Sequence, residues 1–249
     1  MVQSIDRAIQ IINVLVSDDN KSGWSISDLA EATSLPLGTL HRILQTLIKH
    51  ALVIQDPESK QYKPGYKWVE MGLKMIDKID FRKEARPVME RLAMEVEESI
   101  YLNMPQGLDA IVIEKIDSPL KLRISENLGI RIPINIGAPN KTILAHMKDQ
   151  EIKQVLNQLN LSPEEQQGLW KQLSEIRMNH YAVSYGEITE GTACVAAPII
   201  GHHGKVLAAI SINLPSSRLH EQRLPILIEK VKEAAVEITN KLGVTSYGL

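Results

Sequence analysis

The sequence contains one cysteine, Cys194, and one phenylalanine, Phe81, among 249 residues. A single cysteine excludes an internal disulfide and is typical of a reducing compartment, so we expect a cytoplasmic protein. No apolar run approaches the roughly 20 residues of a membrane span, and the amphipathic start MVQSIDRAIQ lacks the continuous apolar core of a signal peptide. The apolar share of 44% is ordinary, and the chain is long enough to bury a core without a structural metal.

An excess of positive charge is also absent. The formal net charge is −2, and residues 1–65 carry six basic side chains against seven acidic ones. Proteins that bind nucleic acid usually neutralise phosphates with a basic surface. Composition therefore gives no support for a nucleic-acid partner, and any such function must depend on where individual charges lie.

Hydrophobic spacing in the first 65 residues predicts three helices and a hairpin. Residues 4–16 have apolar side chains on one helical face with Ser4 as a candidate N-cap, and a second helix opens at 25–28 with Ser27 as its cap. Two extended runs, 51–55 and 61–65, flank a polar turn that contains proline, which is typical of a β-hairpin. Three helices followed by a hairpin make a winged helix-turn-helix. The third helix, about 36–49, has an apolar side made of Leu37, Leu40, Ile43, Leu44, Leu47 and Ile48.

Residues 66–80 and 82–98 are helical by the same criterion, and the pattern changes after Ile100. A short helix at 141–147, a longer one from Ser162 to about 179 and a terminal one at about 217–242 are expected. The fold class is therefore α+β, with a winged helix-turn-helix domain at 1–65, a linker helix at 66–81 and a second domain at 82–249. Apolar runs predict strands at 100–104, 110–116, 120–125, 192–200 and 205–214.

The polar side of the third helix carries residues that can contact base edges in the major groove of DNA. His41, Arg42 and Gln45 have the reach and the donors, and Arg42 can bind guanine with two hydrogen bonds. Gly38 and Thr39 stand near the N-terminal end, where free N–H groups and the helix dipole favour a phosphate. The alternative is an ordinary amphipathic surface helix, which would leave the following hairpin unexplained. The candidate DNA-contacting residues are Gly38, Thr39, His41, Arg42, Gln45 and, from the hairpin, Lys63.

Ordered segments along nearly the whole chain resemble the IclR family of bacterial transcriptional regulators. In the first half they are SIDRA at 4–8, the segment 27–47 with Leu29-Ala30, Leu35-Pro36, Thr39 and His41-Arg42, and Tyr62 before Pro64-Gly65. In the second half they are Gly137-Ala138 with Lys141 and Leu144-Ala145, then His180-Tyr181-Ala182, GTACVAAP at 191–198, and Ala209-Ile210-Ser211-Ile212 with Pro215 and Arg218.

The resemblance implies a winged helix-turn-helix, a helical linker and a GAF-like α/β domain that binds an effector. Members of the family dimerise mainly through their DNA-binding domains and linker helices, often form tetramers, and bind organic acids or aromatic compounds as repressors or activators. We therefore expect a non-enzymatic regulator that binds double-stranded operator DNA as a homodimer or homotetramer. No cofactor and no metal are expected.

The resemblance also implies an effector pocket. The backbone N–H groups of Gly137 and Ala138 are expected to hold a carboxylate. Ser184 replaces an acidic residue, and Asn213 a serine, of the pattern that senses glyoxylate or pyruvate, which leaves the ligand open. Arg123, at a lid position, can pair with an acid. The expected effector-binding residues are Leu120, Arg123, Gly137, Ala138, Ser184, Thr192, Cys194, Ser211 and Asn213.

An enzyme is the main alternative, with Cys194 as its nucleophile and the N-terminal part as a dimerisation module. Such an enzyme needs an activating base or paired carboxylates, and the sequence identifies neither. A buried free cysteine more often packs as a small apolar residue. The pair His202-His203 has no acidic or cysteine partner spaced for zinc, so a solvated turn is favoured over a metal site. A structural adaptor has no supporting feature.

Overall fold

The computed structural model describes residues 2–18, 21–76 and 79–243. Its backbone divides into two compact units, Met1–Lys78 and Ile79–Leu249. The domain limits expected after residues 65 and 81 stay predictions. Positions 77–78 of the expected linker helix lie outside the described residues.

The first unit consists of three helices, a hairpin and a fourth helix, so the winged helix-turn-helix is confirmed. The two hairpin strands pair in antiparallel fashion with Ile54 opposite Lys63, and Trp24 forms an isolated bridge with Tyr62. The elements are α1 (Gln3–Leu15), α2 (Ile26–Thr33), α3 (Leu37–Lys49), β1 (Val53–Gln55), β2 (Tyr62–Pro64) and α4 (Lys67–Ile76).

Aliphatic side chains from all three helices form the core of this unit. The core residues are Ile11, Leu15, Leu29, Leu40, Leu44, Leu47, Val53 and Tyr62. Leu37 was expected in this core and is instead 57% exposed. Helical side chains lean toward the N-terminus, so Leu37 in the first turn of α3 covers space in front of the helix rather than the core.

Two predicted caps are wrong. The Oγ atom of Ser25, and not that of Ser27, accepts a hydrogen bond from the backbone N–H of Asp28 at 3.1 Å. α1 begins at Gln3 after Val2, without a side-chain cap, so Ser4 lies inside the helix.

The second unit is a six-stranded antiparallel sheet with helices on both faces. The strand order is β5-β4-β3-β8-β7-β6. The helices are α5 (Asp80–Val96), α6 (Ala138–Ala145), α7 (Asp149–Gln158), α8 (Pro163–Asn179) and α9 (Leu224–Lys241). The strands are β3 (Ser99–Gln106), β4 (Asp109–Ile116), β5 (Arg131–Pro133), β6 (Ala182–Tyr185), β7 (Thr192–Ile200) and β8 (Val206–Pro215).

Alternating side chains of the central strands separate the core of this unit into two layers. One layer joins α5 and α9 to strand residues such as Val195, Ile210 and Ile212. The other joins α6, α7 and α8 to Cys194, Ala196 and Ala209. Because successive residues of a strand point to opposite faces, position 194 and position 195 belong to different layers. We call the face that carries position 194 the α6 face.

Several predicted elements of this unit differ from the observed ones. Residues 120–125 form no strand, and the terminal helix begins at Leu224 instead of about 217. The short helix is Ala138–Ala145, three residues earlier than expected. Strands β5 and β6 were not predicted, because each is short and shows little periodicity by itself. Helix α7 was missed although Ile152, Val155, Leu156 and Leu159 have helical spacing.

Candidate functional site

α3 presents its polar side chains outside the core of the first unit. His41, Arg42 and Gln45 are exposed, while Leu40, Leu44 and Leu47 are buried on the opposite side of the same helix. The 13 residues of α3 include no aspartate or glutamate. The helix is therefore free of acidic side chains although the whole chain is slightly acidic.

The exposed side of α3 is divided into two stripes by helical spacing. Thr39, Arg42 and Thr46 border a groove of about 620 Å³ whose other wall is α1. Gly38, His41 and Gln45 do not line that groove. Thr39 is half-buried, so among the predicted contact residues of α3 it is the least accessible.

The packing of the unit itself does not require glycine at position 38. A Cβ atom built on Gly38 meets no heavy atom within 4 Å, and no positive φ angle is recorded there. Alanine would normally stabilise a helix relative to glycine by about 0.5–1 kcal/mol. The open space leaves room for a partner backbone to approach this end of α3.

Lys63 lies on β2 of the hairpin, and its charge has an internal partner. The Nζ atom of Lys63 is 3.7 Å from Oδ2 of Asp56. Asp56 also accepts hydrogen bonds from the backbone N–H groups of Glu58 and Ser59, and these bonds lower the pKa of its carboxyl. A phosphate at Lys63 would therefore compete with a carboxylate that also stabilises the hairpin turn.

In the second unit, several of the predicted effector residues come together on the α6 face. Ser184 pairs with Cys194, and Cys194 pairs with Asn213, across three adjacent strands. The Nδ2 atom of Asn213 donates to Oγ of Ser211 at 2.9 Å. Thr192, two residues before Cys194 on β7, is half-buried and bonds through its Oγ1 atom to the carbonyl of Thr189.

Burial keeps the thiol of Cys194 protonated. The surroundings raise the pKa of Cys194 to about 12, chiefly by burial, and a hydrogen bond with Ser211 opposes that effect. A thiolate is the nucleophilic form of cysteine, so Cys194 is not activated for covalent chemistry in this structure.

The backbone N–H groups of Gly137 and Ala138, expected to hold a ligand carboxylate, already have protein partners. Gly137 N–H donates to Oε2 of Glu187 at 2.9 Å, and Ala138 N–H donates to Oγ of Ser184 at 3.0 Å. The Nζ atom of Lys141, one turn along α6, lies 2.8 Å from the Glu187 carboxylate. Glu187 was not among the predicted effector residues. It lies seven residues after His180, and no motif in the sequence marks it.

The loop 117–130 lies beside this face and contains the two predicted lid residues. Leu120 is half-buried, whereas Arg123 is exposed. Side chains of β3 hold the loop, because Ser99 Oγ and Tyr101 Oη both donate to the carbonyl of Ile124, at 2.7 and 2.9 Å.

Glu126, on the same loop, was not predicted as a site residue. Its backbone N–H donates to Oη of Tyr101 at 2.9 Å. Partial burial raises the pKa of its carboxyl. The loop thus brings one more acidic group toward Cys194, whose thiol pKa that charge raises further.

A second concavity lies beside the turn that contains His202 and His203. A cavity of about 550 Å³ is lined by the β3–β4 turn, α7 and the turn at His202 and His203, which is a single 3-10 turn. Both histidines are exposed, as expected for a solvated turn. Across residues 2–18, 21–76 and 79–243, no three histidine, cysteine, aspartate or glutamate side chains are grouped to hold a metal ion.

No helix of the described part of the chain is long and apolar enough to span a bilayer.

Comparison with known proteins gives matches along the whole chain. The IclR helix-turn-helix domain model matches residues 4–57, and the model of the bacterial transcriptional regulator IclR C-terminal domain matches residues 73–240. The HTH-type transcriptional regulator KipR of Bacillus subtilis is 33% identical over 252 residues, covering 98% of each chain. The HTH-type transcriptional repressor AllR of Escherichia coli is 29% identical and covers 98% of this chain and 92% of its own.

Solved structures agree on the fold. The IclR protein of Thermotoga maritima superimposes with a TM-score of 0.79 at 26% identity, covering 98% of this chain and 100% of that one. An IclR homolog from Microbacterium hydrocarbonoxydans, crystallised with 4-hydroxybenzoate, superimposes with a TM-score of 0.80 at 21% identity over 97% and 100%.

Proposed function

The chain belongs to the IclR family of bacterial transcriptional regulators, and from that premise we propose how it contacts DNA and its effector. It is a transcriptional regulator with a C-terminal effector-binding domain. The enzyme alternative is dropped, because the relatives are regulators and the Cys194 thiol is not activated. We propose that α3 enters the major groove of operator DNA, with Gly38, Thr39, His41, Arg42, Gln45 and Lys63 as the contacts.

The arrangement of α3 is the observation that carries the DNA proposal. Its leucines at 40, 44 and 47 fix the helix to the unit, so the side chains of His41, Arg42 and Gln45 must point away from the core. Arg42 and Gln45 match the hydrogen-bonding edges of guanine and adenine, and such a pair contributes about 1–3 kcal/mol of discrimination. The absence of acidic residues on α3 removes local repulsion between this helix and the phosphates.

We propose repression as the mode of regulation, in the cytoplasm. AllR, a relative at 29% identity, is named a transcriptional repressor. An effector would then shift the protein between conformations that differ in operator affinity, to the extent that it binds one of them more tightly.

For the effector we propose an organic acid, aliphatic or aromatic. The α6 face supports this class because it combines hydroxyl, amide and thiol groups with Lys141 at the start of a helix. The proposed contacts are Leu120, Arg123, Gly137, Ala138, Ser184, Thr192, Cys194, Ser211 and Asn213.

We further propose a homodimer formed through the first unit, which can pair again into a homotetramer. Ile5 and Ile9 of α1 are 59% and 48% exposed, and Val69 and Leu73 of α4 are 57% and 58% exposed. Their spacings of four residues place each pair on one side of its helix. Unpartnered apolar stripes of this kind mark association surfaces.

The DNA proposal is tested by selecting a binding sequence from a random duplex library with the wild-type protein, then measuring affinities for the selected duplex. We expect Arg42→Ala to lose preference at one base pair, by roughly 10- to 100-fold, while other positions keep theirs. Gly38→Ala should fold normally and bind every duplex more weakly, because its methyl group occupies the open space at the helix end.

Gly168→Ala is the matched control, since Gly168 is an exposed glycine of α8 whose Cβ also meets no heavy atom within 4 Å. It should bind the selected duplex as the wild type does. If Arg42→Ala and Gln45→Ala select the same sequence as the wild type with the same affinity, α3 is not the base-contacting helix.

A further inference from the structure

One acidic side chain, Glu187, occupies the positive end of α6. Its carboxylate accepts from Gly137 N–H at 2.9 Å and lies 2.8 Å from the Lys141 ammonium. Gly137 is the N-cap residue of the eight-residue helix α6, whose first turn has no acidic residue of its own. Glu187 therefore supplies the negative charge that the N–H groups, the helix dipole and Lys141 favour at this place.

Lys141 needs an anion because it is nearly buried. Its side chain is 11% exposed, and among the described residues its ion pair is with Glu187. A buried ammonium without a counter-charge is strongly destabilising, so this position requires a carboxylate or another anion. The Glu187 side chain is 29% exposed, so this ion pair lies at the edge of the protein rather than deep in its core.

The segment that carries Glu187 connects β6 and β7 and is bonded to the sheet at both ends. Gly186 N–H donates to the carbonyl of Thr192, and the carbonyl of Gly191 accepts from Ser216 N–H, each at 2.8 Å. Gly186 and Gly191 have φ angles of +62° and +76°, which glycine adopts at no steric cost. Between these ends, the Glu187 carboxylate and the Ile188 side chain, which packs on Gly137, connect the segment to α6.

This end of α6 adjoins the proposed effector face. Ala138, next to Gly137, donates its N–H to Ser184, and Ser184 is the strand partner of Cys194. A ligand lying on Ser184, Cys194 and Asn213 would therefore have the Glu187 carboxylate at one end.

We propose that the Glu187 carboxylate occupies the carboxylate subsite already expected at Gly137, with Lys141 as its counter-charge, until an organic acid displaces it. This inference depends on the effector face proposed above. The bound acid replaces the Glu187 carboxylate beside Lys141, so the buried ammonium stays paired. The segment between Gly186 and Gly191 then loses the bonds of Glu187 to α6. Lys141 is thereby assigned as the residue that selects acids over neutral analogues.

The test uses two pairs of probes that differ in the carboxylate alone: 4-hydroxybenzoate with 4-hydroxybenzamide, and pyruvate with pyruvamide. Affinities are measured by calorimetry for the wild type and for Glu187→Ala. We expect Glu187→Ala to bind at least one of the acids about tenfold more tightly, because the internal competitor is gone, and to leave the amides unchanged. Lys141→Met should remove the preference for that acid.

Two variants control for charge and folding. Glu190→Ala removes the same charge from the same loop and should bind as the wild type does. Glu187→Gln keeps an acceptor for Gly137 N–H but loses the ion pair, so it should also gain affinity even if Glu187→Ala is too unstable to study.

Hydrogen exchange in the wild type provides a readout that a purely structural Glu187 would not change. We expect a saturating acid to speed exchange in residues 186–191, whereas ordinary ligand binding would slow it. The proposal is overturned if both Glu187 variants bind the acids no better than the wild type, if no variant binds either acid, or if the loop becomes more protected. The selection of a DNA sequence uses no acid, so its result tests the DNA proposal independently of the Glu187 proposal.

Discussion

The rings of His146 and His180 lie against each other beneath α6. Nδ1 of His146 is 2.9 Å from the carbonyl of Thr142, and Nε2 of His146 is 3.2 Å from Nδ1 of His180. A carbonyl oxygen can only accept, so Nδ1 of His146 carries a proton. Burial favours the neutral ring, whose Nε2 atom then accepts from Nδ1 of His180. Burial is the main reason that the pKa of His146 falls from 6.5 to about 4; the hydrogen bond with Thr142 opposes this fall, and the charges of His180 and Arg177 add to it.

From this histidine we predict that the second unit loses stability in mild acid. His146 binds its proton near pH 6.5 in the unfolded chain and near pH 4 in the folded one. The neutral ring therefore makes its full contribution to the free energy of unfolding above about pH 7, and this contribution declines as the pH falls from about 6.5 to about 4. The free energy of unfolding should therefore fall by about 2 kcal/mol between about pH 7 and about pH 5. Denaturant titrations at the two pH values measure this difference.

His146→Gln should show a smaller loss over the same pH interval, since it has no group to protonate. His203→Gln replaces an exposed histidine and should keep the wild-type pH dependence. Equal pH dependence in His146→Gln and the wild type would exclude His146 as the source.

The sequence could identify site residues only where the spacing along one helix shows which side they face. His41, Arg42 and Gln45 could be picked because helical spacing assigns them to the side opposite the leucines. Glu187 could not be picked, because its partners Gly137 and Lys141 are 50 and 46 positions away. Local spacing contains no information about such a pair.

At the scale of the element, the start of α2 shows how an N-cap is chosen. Both Ser25 and Ser27 can cap a helix, and the sequence pattern favoured the wrong one. Ser25 has an extended backbone with φ of −72° and ψ of 159°, and its Oγ atom satisfies the N–H of Asp28. Ser27 lies inside the helix and is exposed.

We predict that Ser25→Ala destabilises the first unit by about 1 kcal/mol, because the N–H of Asp28 loses its acceptor. Ser27→Ala is the matched control and should change stability by less than about 0.5 kcal/mol. Thermal or urea unfolding followed by circular dichroism measures both. A larger effect from Ser27→Ala than from Ser25→Ala would place the helix start later than the structure does.

The segment 120–125 shows why an apolar run need not become a strand. Its backbone carbonyl at Ile124 accepts from the side chains of Ser99 and Tyr101, and that at Leu122 accepts from Arg218. These bonds satisfy the backbone without a neighbouring strand. The edge of the sheet beside β4 is taken by Arg131–Pro133 instead.

Two buried carboxylates connect elements that are far apart in the second unit. Glu98 accepts from Arg218 at 2.9 Å and from Arg223 at 2.8 Å, and Glu114 pairs with Arg82 at 2.7 Å. Each ion pair adds little net free energy of unfolding, but removal of one partner leaves the other charge buried without a counter-charge. These networks specify how α5 and the segment before α9 meet the sheet.

At the scale of the whole molecule, we predict that the apolar stripe of α1 holds the homodimer together. The double variant Ile5→Glu with Ile9→Glu places like charges on both copies of the surface, and it should have the mass of one chain by light scattering. Its affinity for the selected duplex should fall by at least about tenfold, because the two recognition helices are no longer linked.

Ile226→Glu is the control for this experiment, since Ile226 is 59% exposed on α9 of the second unit. It should keep the mass and the DNA affinity of the wild type. A double variant of α1 that stays dimeric would assign the association surface to another part of the chain.

Periodic apolar side chains and turn residues that are close along the chain were enough to predict the winged helix-turn-helix and the α+β class. The family was identified from ordered motifs in the sequence that resemble it. Tertiary packing was needed to show which groups share the α6 face and that the positive end of α6 already holds the Glu187 carboxylate. Such pairings arise when distant strands and loops pack together, and the charge of buried Lys141 then selects its partner by proximity in space.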